Sequence, residues 1–274
     1  IHDPAHLPGL TSFTTSMLQE GTLNRSSADI AEEFDFMGSR LISGTGRERI
    51  QLGTEVLSNH WSQALDLIAD LLKNPSFPET EIDRIRTERL TSLKFLRDDA
   101  GFSAMQLSPM LVFGKDSPYG HPVLGTEMAI ESFDQSGLRT HYKTHFGPEN
   151  TTLLIVGDLT LDEAVKQANI SFGDWENNGR APQLWGASNT STNAESAIYL
   201  LDKPQAAQSV IRLSSAGMKR NNPDYFALIL LNDLFGGQFT SRLNLNLRQN
   251  KGYSYGFHSG FDWYKDSSLI WAGG

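Results

Sequence analysis

Apolar residues recur at helical spacing from the start of the chain. In "PGLTSFTTSMLQEGT" (residues 8–22), Leu10, Phe13, Met17 and Leu18 form one stripe of a helix. Ser12, Thr15 and Ser16 form a second stripe at i, i+3 and i+4. Ile30, Phe34, Met37 and Leu41 line a second helix, with Ser26 and Asp29 spaced as a capping pair and Gly38 as its stop. Ile50, Leu52, Thr54 and Val56 alternate as in a half-buried strand. A third helix turns Trp61, Leu65, Ile68 and Leu72 inward and closes at Pro75. A long charged helix follows over residues 78–99, and a shorter one around "FSAMQLSPMLVFG" leads into the loop "SPYGHPVLGT".

Further on, "SFDQSGLRTHYKTHF" reads as a helix capped by Ser132 and Gln135, and "TTLLIVGD" as a buried strand. "TLDEAVKQANISF" is a helix whose Thr160 and Glu163 form a capping box. Residues 176–194 are polar and rich in Gly, Asn and Ser, the composition of a linker. Beyond them come strands "SAIYLLD" and "QSVIRLSSAG", helices "PDYFALILLNDLFGG" and "SRLNLNLRQNKG", and strands "YSYGFHSGF" and "SSLIWAG". The expected fold is α+β, with helices packed on largely antiparallel sheet and the pattern begun twice. The domains are 1–175, a linker 176–194, and 195–274. The opening "IHDPAHLPGL" reads as a mid-chain entry into a helix and "SSLIWAGG" as a stop just after a strand, so both ends read as cut and the second domain as incomplete.

Composition narrows the chemistry. The net charge of −9 and pI near 5.2 argue against a nucleic-acid partner. No apolar run approaches the roughly 20 residues of a membrane span. With no cysteine, thiolate metal sites, disulfides and cysteine nucleophiles are excluded. Among the histidines, His141 and His145 stand one helical turn apart, but Pro148 ends the helix before Glu149, and the pair reads as two histidines late in a helix. The glycine clusters "SGTG" and "FGGQ" lack a P-loop lysine or a dinucleotide-binding context and read as turns. Arg248 falls in the last turn of a helix and Tyr255 in the strand after Gly252, so both tips could reach one cleft and hold a peptide carbonyl or developing oxyanion. Spacing alone leaves the alternative open: an arginine complementing a helix C-terminus and a strand aromatic.

Five phrases, taken in order, resemble the pitrilysin/insulinase family of inverted-motif zinc peptidases, which includes the mitochondrial processing peptidase. They are the opening pair of helices, "ALDLIADLLKNPSFPETEIDRIR", "YGHPVLGT", "HYKTHFGPENTTLLIVGDL" and "FGGQFTSRLNLNLRQNKGYSYG", spread over nearly the whole chain. The resemblance implies duplicated domains of sheet plus helices. In an active relative, histidines would stand at Ser12 and Ser16 and the catalytic glutamate at Thr15, with a third ligand at or beside Ser92. This chain has no imidazole or carboxylate at any of these positions, and serine hydroxyls are poor zinc ligands. The first domain then has a degenerate zinc motif, this chain holds no metal of its own and should not cut peptides alone. Arg248 and Tyr255 match the family's substrate-binding pair, which lines the chamber opposite the metal. The resemblance thus implies the non-catalytic half of a two-part zinc endopeptidase, binding extended peptide, with zinc in a homologous partner half on a separate subunit or the same polypeptide. A scaffold of the same fold without peptidase role is the alternative. A bacterial periplasm or cell envelope is the expected location.

Overall fold

The structure is a computed structural model that describes residues 3–176 and 196–274. In chain order the first elements are helices α1 (Leu10–Met17) and α2 (Ser27–Phe36), strands β1 (Ile42–Thr45) and β2 (Ile50–Gly53), and helices α3 (Trp61–Lys73) and α4 (Glu79–Asp98). Helices α5 (Ala100–Phe113), α6 (Glu127–Ser132), α7 (Gln135–His145) and α8 (Leu161–Phe172) follow. Strand β3 (Arg212–Gly217), helices α9 (Tyr225–Asn232) and α10 (Arg242–Asn244), and strands β4 (His258–Trp263) and β5 (Ser268–Gly273) complete the order. Both α9 and α10 run on into π-helical turns, Asp233–Gly237 and Leu245–Asn250. The elements sort into two compact units. One draws on His2–Thr91 and Val123–Leu184, the other on Ser92–Pro122 and Trp185–Gly274. All but Glu176 of the predicted linker, 176–194, lies outside the described residues.

In the first unit, α1 is buried on nearly every side. Phe13, Met17 and Leu18 are fully buried and Leu10 almost so. Full burial of such side chains stabilises by about 1.5–3 kcal/mol each. Phe13 meets Phe133 edge-to-face at 5.2 Å. Gly9, at φ 89°, turns the chain into α1, and a Cβ placed there would lie 2.4 Å from the Cα of Gly125, itself at φ 90°. Both conformations belong to glycine. The two backbones therefore touch where the "VLGT" loop enters α6.

Helix α2 begins with the expected capping box of Ser26 and Asp29, and Gly38, at φ 64°, follows its end. Its Ile30, Phe34 and Met37 pack with Ala64, Leu67 and Leu71 of α3. The inward face of α3 is thus rotated from the expected one, and Trp61, Ile68 and Leu72 are only half-buried. The Thr160–Glu163 box caps α8. Helix α7 is capped instead by Asp134, whose carboxylate accepts from the Gly137 N–H, while the Ser132 hydroxyl turns back to the Ala129 carbonyl at the end of α6. An ionised side chain at the helix start is favoured by the dipole and takes the cap from the serine.

In the second unit, β3, β5 and β4 form an antiparallel sheet in that order, with Ile270 of β5 between Ser215 and Phe261. Phe113, Tyr119 and Leu269 form its core, and Tyr119 stacks on Tyr264 at 4.7 Å. Three strand expectations fail. Residues 151–158 form no strand, with Leu154 83% and Val156 89% exposed. Residues 196–202 likewise form none, with Ile198 99% exposed. A strand needs a neighbour for its N–H and C=O groups, and among the described residues neither segment has one. Tyr255 sits in a bend before β4, which begins only at His258.

Candidate functional site

Two of the three hydroxyls on the stripe of α1, and that of Thr14 beside it, bond to the helix's own backbone. Thr14, Thr15 and Ser16 each donate from the side chain to the carbonyl four residues back, those of Leu10, Thr11 and Ser12, at 2.8, 2.8 and 3.1 Å. This back-bonding is how a helix buries small hydroxyls. Ser12 and Thr15 are buried and Ser16 partly so.

A cation faces the two serines. Ile82, Ile85 and Leu93 are the buried positions of α4, and Arg89 stands among them at helical spacing. Its Nη1 donates to Ser12 Oγ at 3.1 Å, and its Nη2 donates to Ser16 Oγ at 2.7 Å and to the Ser12 carbonyl at 3.3 Å. The guanidinium carbon lies 5.1 Å from the centroid of the Phe13 ring, whose face favours a cation. Burial lowers the pKa of Arg89 to about 10, partly offset by the Asp3 carboxylate, and the group stays charged at neutral pH. Sequence reasoning passed over this residue because α4 carries many arginines. The available signal was its position, a cation on the one stripe of a charged helix that is otherwise apolar. Ser92 lies on the exposed side of α4, one turn beyond Arg89.

These residues do not fit a zinc ion. Ser16 Oγ and the Ser12 carbonyl already accept bonds from Arg89, and no imidazole or carboxylate is within the set. Two unit charges about 4 Å apart interact by about 4 kcal/mol at an effective permittivity near 20, and a dication beside a guanidinium would be repelled about twice as strongly. Among the described residues no group of three or more His, Asp or Glu could hold a metal ion.

The start of α1 is fixed by a separate polar chain. The Asp3 carboxylate accepts from the Gly9 and Thr11 N–H groups, both at 2.7 Å, and from the Thr11 hydroxyl at 2.6 Å. Since that hydroxyl gives its only proton to Asp3, His141 Nε2, 2.9 Å away, is the donor to Thr11 Oγ1 and carries hydrogen. The rings of His141 and His145 meet at a tilt of 51°, with their centroids 4.6 Å apart.

Arg248 and Tyr255 lie in the second unit. Arg248 is in the π-helical turn after α10, half-buried, with its guanidinium carbon 4.5 Å from the centroid of Phe239. Gly252, at φ 65°, turns the chain, and its N–H closes on the Arg248 carbonyl. Tyr255 is 92% exposed. No hydrogen bond or ring contact among the described residues joins Arg248 to Tyr255. The structure places the two on one connection between helix and strand without bringing their side chains together.

Comparison with known proteins gives the family and the fold. Residues 132–272 match the model of the peptidase M16 inactive domain, and residues 1–97 that of insulinase, peptidase family M16. An uncharacterised zinc protease of Bacillus subtilis is 28% identical over 269 residues, covering 98% of this chain and 64% of its own length. The chain thus spans a little under two thirds of such relatives. A peptidase M16 inactive domain from Pseudomonas fluorescens superposes with a TM-score of 0.80 at 24% identity, over 97% of this chain and 64% of that one. The periplasmic protease PqqL of Escherichia coli superposes with a TM-score of 0.69 at 15% identity, over 99% of this chain and 31% of that one. The α+β fold is that of the pitrilysin-type peptidases, and the chain belongs to peptidase family M16.

Proposed function

We propose that this chain is the non-catalytic half of a two-part zinc metalloendopeptidase, binding extended peptide opposite the zinc of a homologous half. One observation carries the reading. The helix that would bear the ligands, α1, has Ser12, Thr15 and Ser16 engaged in the chain's own hydrogen bonds, with a guanidinium among them. No group there can bind zinc or deprotonate a water. The match to the inactive domain over residues 132–272, which include Arg248 and Tyr255, supports the same assignment.

In this role Arg248 offers a fixed positive charge and Tyr255 a phenolic O–H. Both are donors suited to a peptide carbonyl, and both strengthen as that oxygen gains negative charge in the tetrahedral intermediate. The zinc and its general base belong to the partner half, on a separate subunit or the same polypeptide. The relationship to PqqL, named as periplasmic, supports a bacterial periplasm or cell envelope as the location. No helix among the described residues is long and apolar enough to cross a membrane.

The test is to assemble the full-length protein with its zinc-bearing half and follow peptide hydrolysis. Arg248→Ala and Tyr255→Phe should each lower kcat/KM at least about tenfold, a loss typical of a transition-state donor, while the affinity between the halves stays within about twofold. Unchanged turnover in both variants would make the chain a scaffold of this fold.

A further inference from the structure

We infer that Arg89 is an internal replacement for the metal cation: its guanidinium is built into the face of α1 where active relatives hold zinc, and it keeps a metal from returning there. The inference rests on the reading of Ser12, Thr15 and Ser16 as the former zinc positions. It goes further in giving the vacated chemistry a specific successor.

Three observations converge. Arg89 occupies a core-facing position of α4, between Ile85 and Leu93, where an aliphatic side chain would pack. It bonds to both serines of the pair, Ser12 and Ser16, at 3.1 and 2.7 Å, and so bridges the same i, i+4 spacing that two imidazoles would use around one ion. Its bonded partners are neutral hydroxyl and carbonyl oxygens, with the Phe13 ring face alongside, so its charge is held much as a bound cation's would be. The helix pair α1–α4, tied by a metal in active relatives, is here tied by a side chain. Zinc binding at neutral pH would have to displace or neutralise a group that stays protonated far above that range.

The experiment installs the missing ligand set, Ser12→His, Thr15→Glu, Ser16→His and Ser92→Glu, in the full-length protein, with and without Arg89→Leu. Zinc is loaded, free metal is removed by dialysis, and bound metal is counted by mass spectrometry. The expected result is below about 0.1 zinc per chain with Arg89 present and close to one with Arg89→Leu. Equal, stoichiometric zinc in both would overturn the inference, as would its absence from both. If the ligand-set proteins do not fold, a double-mutant cycle decides on the unaltered α1. Ser16→Ala and Arg89→Leu should be strongly non-additive in urea midpoint, because each removes the same bond. Additive effects would show that the guanidinium does not hold the serines. None of these readouts involves a partner or a peptide, so they stand or fall separately from the turnover test.

Discussion

Asp70 illustrates how much one side chain can hold in this molecule. Near the end of α3 it is 8% exposed, and it accepts from Thr22 Oγ1, Asn24 Nδ2, Arg25 Nη1 and Asn74 Nδ2 at 2.7–2.9 Å. Burial alone would raise its pKa, but the four donors outweigh it and hold the carboxyl below its ordinary value. Because the folded pKa is depressed, the stability Asp70 contributes is present above the unfolded carboxylate's pKa of about 3.9 and is lost as pH falls through the lower folded value. Replacing it with Asn removes the charge facing Arg25 and leaves donors poorly matched. Asp70→Asn should lower the unfolding free energy by about 2–3 kcal/mol at pH 7. In urea titrations the gap from the parent protein should narrow below about pH 4. A gap independent of pH would mean that packing, not the carboxylate's charge, is what the substitution removes.

At the scale of elements, the contact between α1 and the loop entering α6 depends on two glycines for a steric reason. At Gly125 a methyl group would sit 2.7 Å from the Pro8 carbonyl, in a backbone at φ 90°. Gly38 is a contrasting site, at φ 64° with nothing within 4 Å of an added Cβ. Gly125→Ala should therefore cost about 2–4 kcal/mol, combining strain and overlap, and Gly38→Ala only about 1 kcal/mol. Thermal unfolding followed by circular dichroism compares them directly, and equal shifts would mean that the backbones are free to separate. These two glycines also mark what could be read from the sequence. The helices and the Ser26–Asp29 and Thr160–Glu163 capping boxes were legible because spacing and local hydrogen bonds decide them, while the cap expected from Ser132 and Gln135 went to Asp134. The packing stripe Leu10, Phe13, Met17 and Leu18 was legible for the same reason. The backbone contact of Gly9 with Gly125, the absence of a strand at 151–158 and the bend at Tyr255 were not, since each depends on what lies beside the segment in space. Short α6 escaped as well, offering too few residues for a period. At the candidate site, the sequence shows only that Ser12, Thr15, Ser16 and Ser92 are neither imidazole nor carboxylate, whereas Arg89 looked like one more charge on a solvated helix.

For the molecule as a whole, the distribution of apolar surface is uneven. Helix α9 has no buried residue, and Phe226, Leu230 and Leu234, a stripe at i, i+4 and i+8 continuing into the π turn, are 75%, 65% and 68% exposed. An apolar face of this kind marks a site of association, and under the two-half reading it is surface that a companion segment or subunit covers. The polypeptide 1–274 on its own should therefore self-associate with rising concentration despite a net charge of −9. Leu230→Asp with Leu234→Asp should shift sedimentation toward the monomer and lower the fluorescence of a bound apolar dye. Unaltered sedimentation would place the sticky surface elsewhere. The guanidinium beneath α1 has a consequence on another timescale. On the inference that Arg89 replaces the metal, a lineage that has acquired it cannot recover a hydrolytic centre by single, individually tolerated steps. Each returning imidazole would meet a fixed positive charge, and losing the arginine first would leave the two serine hydroxyls without it. Abandoning catalysis is then a ratchet, and descendants of such a chain are free to refine recognition but not to resume cutting.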